Sequence, residues 1–231
     1  MHLIGVASQL GNGKDKLCDH LVKVLNDKLP SNPQYIEAKD AYSYPVYWQR
    51  SAFANAVKDV FETSFGVDRD FTEKWKRIED APPGMLQNVR KSLQFIGDGF
   101  REIRDEIWIE IALRNESKKL IISDSRYINE AKAIKAKGGI TVVLYRPGHL
   151  NDDPNPSESQ IRPVVEWCAK NLVEGPIHAA ADDPDYFVDA PNYPDFLQYY
   201  DYFMVNDGTL EDLYDKVERY LVPFIERKYS Q

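Results

Sequence analysis

Residues 2–16, HLIGVASQLGNGKDK, decide the fold of this chain. Residues 2–7 form an apolar run that ends in small side chains, and residues 8–15 form a loop that carries two glycines. Apolar side chains then recur at helical spacing, at Leu17, Leu21, Val24, Leu25 and Leu29. The stretch therefore predicts a strand, a glycine-rich loop and a helix, in that order.

This loop has the composition of a phosphate-binding loop. Successive backbone N–H groups and the N-terminus of the following helix can surround a phosphate, and Lys14 would then reach the β- and γ-phosphates of a nucleotide. The match to GxxxxGK followed by Ser or Thr is imperfect, because Ser8 stands at the first glycine and Asp15 at the hydroxyl that normally binds Mg²⁺. The alternative is a glycine-rich turn with a solvated lysine, and the predicted strand and helix on either side weigh against it.

Strands and helices alternate along most of the remaining chain. Further strands are predicted at residues 35–38, 120–123, 140–144 and 202–206. Helices are predicted at residues 51–65, 85–97, 102–115 and 127–137, with Gly97-Asp98-Gly99 as the break between the second and the third. A last amphipathic helix follows Thr209, which has the spacing of a capping box with Asp212. The alternation predicts an α/β fold, with a central parallel sheet covered by helices on both faces.

Charge is distributed unevenly along the sequence. The 231 residues carry 37 acidic and 29 basic side chains, and the net charge of -8 disfavours long nucleic acid and anionic membranes as partners. Residues 147–201 hold 11 of the acidic side chains, 2 of the basic ones and eight of the 14 prolines. This acidic, proline-rich segment is predicted to be an irregular insertion rather than a second core.

Other features of the sequence exclude further classes of protein. No window approaches the ~18 continuous apolar residues that a membrane-spanning helix needs. Cys18 and Cys168 match no disulfide or metal-ligand pattern, and the chain begins without a basic region followed by a long apolar stretch. The sequence therefore predicts a protein of a reducing cytoplasm with no membrane partner.

Asp124, Arg126 and Glu130 follow the strand predicted at residues 120–123. At the carboxyl edge of a parallel sheet, the carboxylate of Asp124 can hold Mg²⁺ or orient a substrate group. Arg126 can bind a phosphate with two hydrogen bonds, and Glu130 can hold that arginine. The alternatives are that Asp124 caps the following helix and that Glu130 forms a surface ion pair.

A second group of polar side chains lies in the helical region at residues 85–115. Arg90, Gln94 and Arg101 are spaced by four and seven residues, which places them on one side of a helix that continues or restarts in register. Phosphoryl transfer needs cations around a second phosphate, so this side is a candidate pocket for an acceptor. The alternative is an amphipathic helix with a solvated basic face.

Taken together, these pieces resemble the bacteriophage-type deoxynucleoside monophosphate kinases, a branch of the P-loop nucleoside monophosphate kinase group. The resemblance runs through most of the chain, and its most specific part is SDSRYINEAKAIKAKGG at residues 123–139. The other segments that carry it are GNGKDK (11–16), AFANAVKDVF (52–61), RKSLQFIGDGFREIRDEIW (90–108), RP (146–147), PSE (156–158) and VNDGTLEDLYDKV (205–217).

The resemblance implies one P-loop kinase domain over residues 1–231. Its core would comprise residues 1–48, 116–146 and 202–231. Its helical nucleotide-binding region would be about residues 49–115, and its lid, with the acidic insertion, about residues 147–201. The implied reaction transfers the γ-phosphoryl group of ATP to a 2′-deoxynucleoside 5′-monophosphate, giving ADP and a deoxynucleoside diphosphate, with Mg²⁺.

The resemblance also implies roles for individual residues. The donor phosphates would be held by Gly11, Asn12, Gly13, Lys14, Asp15 and Lys16. The acceptor would be surrounded by Arg90, Gln94, Arg101, Asp124, Arg126 and Glu130, with Gln94 as the candidate for reading the base. The catalytic residues would be Lys14, Asp124, Arg126 and Arg162, the last of them in the lid.

Lys16 departs from the family, in which a threonine is usual at this position. The direct hydroxyl ligand of Mg²⁺ is therefore missing. Either the metal is held through water by Asp15 or Asp124, or the donor site is altered.

The sequence leaves two other functions open. One is a P-loop kinase that acts on a hydroxymethylated base within DNA, although the acidic net charge disfavours a duplex substrate. The other is a non-catalytic nucleotide-binding regulatory module, suggested by Lys16. The expected partners are small-molecule nucleotides, a homodimer is left open, and for a phage-encoded chain the location would be the host cytoplasm.

Overall fold

The computed structural model describes residues 2–29, 37–38, 41–42, 47–114, 119–151, 155–172 and 194–230. The chain divides into two compact units, one formed by Met1–Ser51 with Glu116–Gln231 and the other by Ala52–Asn115. Within the described ranges, no helix has the length and apolar composition needed to cross a membrane.

The first unit is built on a five-stranded sheet in which every strand pair is parallel. In chain order its strands are β1 (His2–Ala7), β4 (Trp48–Ser51), β5 (Lys119–Ser125), β6 (Ile140–Tyr145) and β7 (Tyr202–Val205). Across the sheet the order is β4-β5-β1-β6-β7. Two shorter strands, β2 (Glu37–Ala38) and β3 (Ala41–Tyr42), pair with each other in antiparallel fashion. The strands predicted at residues 120–123, 140–144 and 202–206 are confirmed, and residues 35–36 of the strand predicted at 35–38 lie outside the described ranges.

Along the chain, the described helices come between and after these strands. In chain order they are α1 (Lys14–Asp27), α2 (Ala54–Phe65), α3 (Arg69–Trp75), α4 (Val89–Ile103), α5 (Ile107–Ala112), α6 (Ile128–Ala136), α7 (Pro156–Ser159), α8 (Arg162–Asn171), α9 (Leu210–Lys216) and α10 (Val222–Tyr229). A 3-10 helix spans Asp195–Tyr199, and a π-helical turn, Val217–Leu221, joins α9 to α10. The predicted capping box is confirmed, because Asp212 N donates to Thr209 Oγ1 at 3.2 Å and Thr209 N to Asp212 Oδ2 at 2.8 Å.

Both faces of the sheet are covered, as predicted. Successive side chains of a strand point to opposite faces, so Val142 and Leu144 of β6 enter one core while Val143 and Tyr145 enter the other. The first core is closed by α1 and the C-terminal helices, and the second by α6 and α8. This is the α/β architecture of a P-loop kinase fold.

Helix α8 lies within the acidic segment that the sequence predicted to be irregular. Its Val164, Val165 and Cys168 are fully buried and pack against β6 and β7. Proline and aspartate content indicates irregular structure, whereas these three apolar side chains recur at helical spacing and cover the sheet. Other parts of the segment, residues 152–154 and 173–193, lie outside the described ranges.

The second unit is helical, and its helices differ from the predicted ones. The predicted break at Gly97-Asp98-Gly99 is wrong, since α4 runs through it and the interruption falls at residues 104–106. A glycine inside a helix costs only about 1 kcal/mol, and the carbonyl of Gly97 accepts a 2.9 Å hydrogen bond from Nε1 of the buried Trp108. Helix α4 begins at residue 89 because Asn88 caps it, accepting from Lys91 N at 2.9 Å.

Candidate active site

The loop between β1 and α1 has a closely constrained backbone. Gly11 and Gly13 have φ angles of +88° and +92°, in the left-handed region that other residues rarely adopt. A Cβ atom on Gly13 would lie 2.8 Å from Nδ2 of Asn206, and that amide donates to the carbonyl of Asn12 at 3.0 Å. Gly13 is therefore required both by its backbone conformation and by the close approach of Asn206.

The polar side chains of this loop are buried. Ser8, Gln9 and Asn12 have no exposed surface. Ser8 Oγ donates to the carbonyl of Leu144 at 2.8 Å, and the Gln9 amide exchanges two 3.0 Å hydrogen bonds with the backbone N and O of Asn151. The Asn12 amide has no hydrogen-bond partner among the described residues. A buried amide without a partner is costly, and a ligand with acceptor oxygens can satisfy it.

Lys14 and Asp15 begin helix α1. Lys14 is 8% exposed, and its Nζ lies 3.7 Å from Oδ2 of Asp15. The other carboxylate oxygen of Asp15 pairs with the guanidinium of Arg50, which also donates to Asp19 Oδ1 at 2.8 Å. Burial by itself lowers the pKa of Arg50, but the carboxylates of Asp19 and Asp15 outweigh this and raise that pKa, so Arg50 stays charged. Lys16, on the same turn, is exposed.

Asp124 and Arg126 lie at the same edge of the sheet as the loop. Strands β1 and β5 end side by side, with Ala7 opposite Ser125. Asp124 and Arg126 flank Ser125, and each is half-buried. The Arg126 guanidinium pairs with Oε1 of Glu158, a carboxylate that is only 1% exposed. The structure thus brings Asp124, Arg126 and the loop to one edge.

Glu130 acts on the backbone that leads into helix α6. Its Oε2 accepts from the N–H of Arg126 at 2.7 Å and from that of Tyr127 at 3.1 Å. The side chain is 3% exposed, so the alternative of a surface ion pair is wrong. Glu130 therefore fixes the turn that carries Arg126.

Arg162 is the first residue of α8 and is half-buried. Its Nη2 donates to the carbonyl of Asn151 at 3.3 Å, and the same carbonyl accepts from Gln9. Arg162 is therefore connected to the loop through one shared backbone oxygen.

Arg90, Gln94 and Arg101 belong to the second unit, where all three lie on α4. Because α4 is continuous, the spacing of four and seven residues puts them on one side of it. Arg90 is exposed, Gln94 and Arg101 are half-buried, and Arg101 Nη1 lies 3.5 Å from Oδ1 of Asp98.

The residues predicted to hold Mg²⁺ differ in their surroundings. Asp15 is exposed and pairs with two cations, and Asp124 is a half-buried carboxylate at the sheet edge. Among the described residues, no three His, Cys, Asp or Glu side chains come together as a metal site. Mg²⁺ is commonly held by one or two carboxylates together with water and substrate phosphates, so a site based on Asp124 fits a metal that arrives with a nucleotide.

Three residues of the site were not assigned a role from the sequence. Glu158 and Asn206 lie in segments that carry the family resemblance, PSE and VND, but nothing in those letters indicates their partners. Arg50 lies in WQRS (48–51), a strand that the sequence does not predict, because only Trp48 of the four residues is buried.

Comparisons with known proteins agree with the family resemblance. The chain is 27% identical over 184 residues to a protein of Acanthamoeba polyphaga mimivirus described as "putative deoxynucleotide monophosphate kinase", and the match covers 72% of this chain and 86% of the relative. No family model matches the chain. The similarity, together with the α/β fold, supports a nucleotide kinase function.

Proposed function

We propose that this protein is a deoxynucleoside monophosphate kinase, which transfers the γ-phosphoryl group of ATP to a 2′-deoxynucleoside 5′-monophosphate. The observation that carries the proposal is the loop at residues 8–14. In it, two glycines with left-handed backbone conformation and the buried Lys14 lie at the carboxyl edge of a parallel sheet. Similarity to the mimivirus protein supports the same class of reaction. We also propose that this activity supplies precursors for DNA synthesis in the cytoplasm.

In this proposal the donor nucleotide binds at the loop. Backbone N–H groups of Gly11, Asn12 and Gly13 and the N-terminus of α1 surround the phosphates, and the ammonium of Lys14 neutralises their charge. The Asn12 side chain, buried and without a partner among the described residues, supplies a further donor. Lys16 and Asp15 border the same turn and are proposed to contact the donor from its outer side.

The acceptor phosphate is proposed to bind Arg126, with Glu130 holding the backbone of that arginine and Asp124 beside it. Arg90, Gln94 and Arg101 are proposed to bind the remainder of the acceptor, and Arg162 to neutralise charge on the group in transfer. Mg²⁺ bound with ATP would supply charge neutralisation on the phosphate oxygens, with Asp124 and, through water, Asp15 as its protein ligands.

Turnover with a panel of acceptors tests this proposal. ADP release is measured at millimolar Mg-ATP with dAMP, dGMP, dCMP, dTMP and modified pyrimidine monophosphates. We expect turnover with at least one of them. Folded protein that turns over none of them would contradict the proposal.

A pair of lysine variants tests the part played by the loop. Lys14→Ala should lower kcat at least about 100-fold, because the ammonium that neutralises charge on the transferring phosphoryl group is lost. The matched control is Lys23→Ala on the same helix, whose side chain is 72% exposed and pairs with Asp27 four residues on. The control should retain wild-type turnover, and an active Lys14→Ala would remove the loop from the mechanism.

A further inference from the structure

Glu158 is an unusually placed carboxylate. It lies in α7, a single helical turn, and is 1% exposed, although glutamate is rarely buried unless it is paired. Its two oxygens have different partners, with Oε2 accepting from the backbone N–H of Leu10 at 3.1 Å and Oε1 pairing with Arg126. One side chain therefore joins the loop after β1 to the arginine after β5.

The contact with Leu10 determines the position of the loop backbone. The Leu10 side chain is 48% exposed, so packing of that side chain does little to hold the residue in place. The neighbouring Gln9 is held by its two hydrogen bonds to Asn151. The first half of the loop is thus attached at two successive positions before the two glycines, Gln9 to Asn151 and Leu10 to Glu158.

The contact with Arg126 determines the position of a charge. The guanidinium side chain is 18% exposed and the carboxylate side chain 2% exposed, so the pair is largely shielded from water. A shielded charge pair has a defined geometry, and removal of one partner leaves the other uncompensated. Arg126 has both its backbone and its side chain held by carboxylates, those of Glu130 and Glu158.

We propose that Glu158 is a positioning residue that holds the donor-phosphate loop and Arg126 in one fixed geometry. This proposal rests on the proposed function, because it assigns the two groups that Glu158 connects to the donor and the acceptor. In-line transfer requires both phosphates to be aligned, and a shift of about 1 Å can cost about 100-fold in rate. Glu158 acts through these groups and does not touch the nucleotides.

The test compares Glu158→Gln with Glu166→Gln in the full chain. Both variants lose one negative charge, but Glu166 is exposed on α8. Glu158→Gln should lower kcat by about 100-fold and leave the KM for ATP within a few-fold of wild type, because binding groups remain while alignment is lost. Glu166→Gln should behave as wild type. A folded Glu158→Gln with wild-type kcat would overturn the proposal.

A double variant separates positioning from general stabilisation. In the Arg126→Met background, Glu158→Gln should lower kcat by a smaller factor than it does in the wild type, since the part of its effect that passes through Arg126 is already lost. Losses that multiply would instead show that Glu158 acts independently of Arg126, against the proposal. If Glu158→Gln does not fold, Glu158→Asp, which keeps the charge and is one methylene shorter, is measured in its place, and wild-type kcat in that variant would also overturn the proposal.

Hydrogen exchange gives a readout that does not depend on turnover. Exchange of the Leu10 amide should be faster in Glu158→Gln than in wild type or Glu166→Gln. In that variant a neutral amide oxygen replaces the carboxylate oxygen that accepts from Leu10 N, so the hydrogen bond is weaker. An unchanged Leu10 amide would overturn the positioning role even if the protein is an active kinase. Conversely, faster Leu10 exchange in Glu158→Gln, together with no turnover of any monophosphate by the wild type, would contradict the proposed function and leave the positioning of the loop by Glu158 intact.

Discussion

Substitution of Gly13 by alanine tests the constraint on the loop. The φ angle of +92° would cost an alanine about 1–2 kcal/mol. Its Cβ atom would also lie 2.8 Å from Nδ2 of Asn206. To relieve this contact, the Asn206 amide must move away and weaken its 3.0 Å hydrogen bond to the carbonyl of Asn12, which costs about 1 kcal/mol more. We therefore expect Gly13→Ala to lower the free energy of unfolding by about 2–3 kcal/mol.

Gly11→Ala is the matched control for this substitution. Gly11 has a similar φ angle of +88°, but a Cβ atom there would meet nothing within 4 Å. The backbone cost and the effect of alanine on the unfolded chain are shared by both variants, so their difference isolates Asn206. Urea unfolding followed by circular dichroism should place Gly13→Ala about 1 kcal/mol below Gly11→Ala. Equal stabilities would refute the packing argument.

Two further predictions concern the thiol of Cys18 and the carboxylate of Glu73. Burial raises the pKa of the Cys18 thiol to about 12. Iodoacetamide at pH 8 should therefore modify Cys18 only after the protein unfolds. Rapid modification of Cys18 in the native protein, located by mass spectrometry, would contradict this. For Glu73, burial alone would raise the pKa of the carboxyl, but hydrogen bonds from Lys58 and Lys76 lower it to about 2. The ionised form therefore stabilises the fold above the pKa of the unfolded chain, and this stabilisation is lost as pH falls towards 2. Glu73→Gln should lower the free energy of unfolding at pH 7 by less than about 1 kcal/mol. In urea titrations, this difference from wild type should vanish near pH 2. A difference that does not depend on pH would show that it does not come from the ion pairs of Glu73.

The sheet was largely predictable from the sequence, because most side chains of its inner strands are apolar. Residues 120–123 and 140–144 are buried on both faces, and all but Ser123 and Thr141 are apolar. The edge strand β4 is not predicted, because Gln49 and Arg50 are polar and exposed and so give no apolar run. In α4 the sequence indicated a break at Gly97, but the tertiary contact of Trp108 with that glycine overrides its weak local preference.

The placement of the candidate site residues was predictable where neighbouring residues in the sequence form a motif. The loop glycines and Lys14 form a motif, and Asp124 and Arg126 follow a recognisable strand. Contacts across long sequence separations could not be derived in this way. Glu158 meets Leu10 across 148 residues, and Asn206 meets Asn12 across 194, so neither pairing leaves a pattern in the sequence.

Transfer of a labelled phosphoryl group tests the central claim most directly. The protein is incubated with ATP labelled at the γ-phosphate, Mg²⁺ and the acceptor preferred in the ADP-release panel, and the products are separated by chromatography. The proposed reaction predicts that the label appears in the deoxynucleoside diphosphate, and that Lys14→Ala abolishes this product while Lys23→Ala does not. Label found only in inorganic phosphate, or retained in ATP, would contradict it.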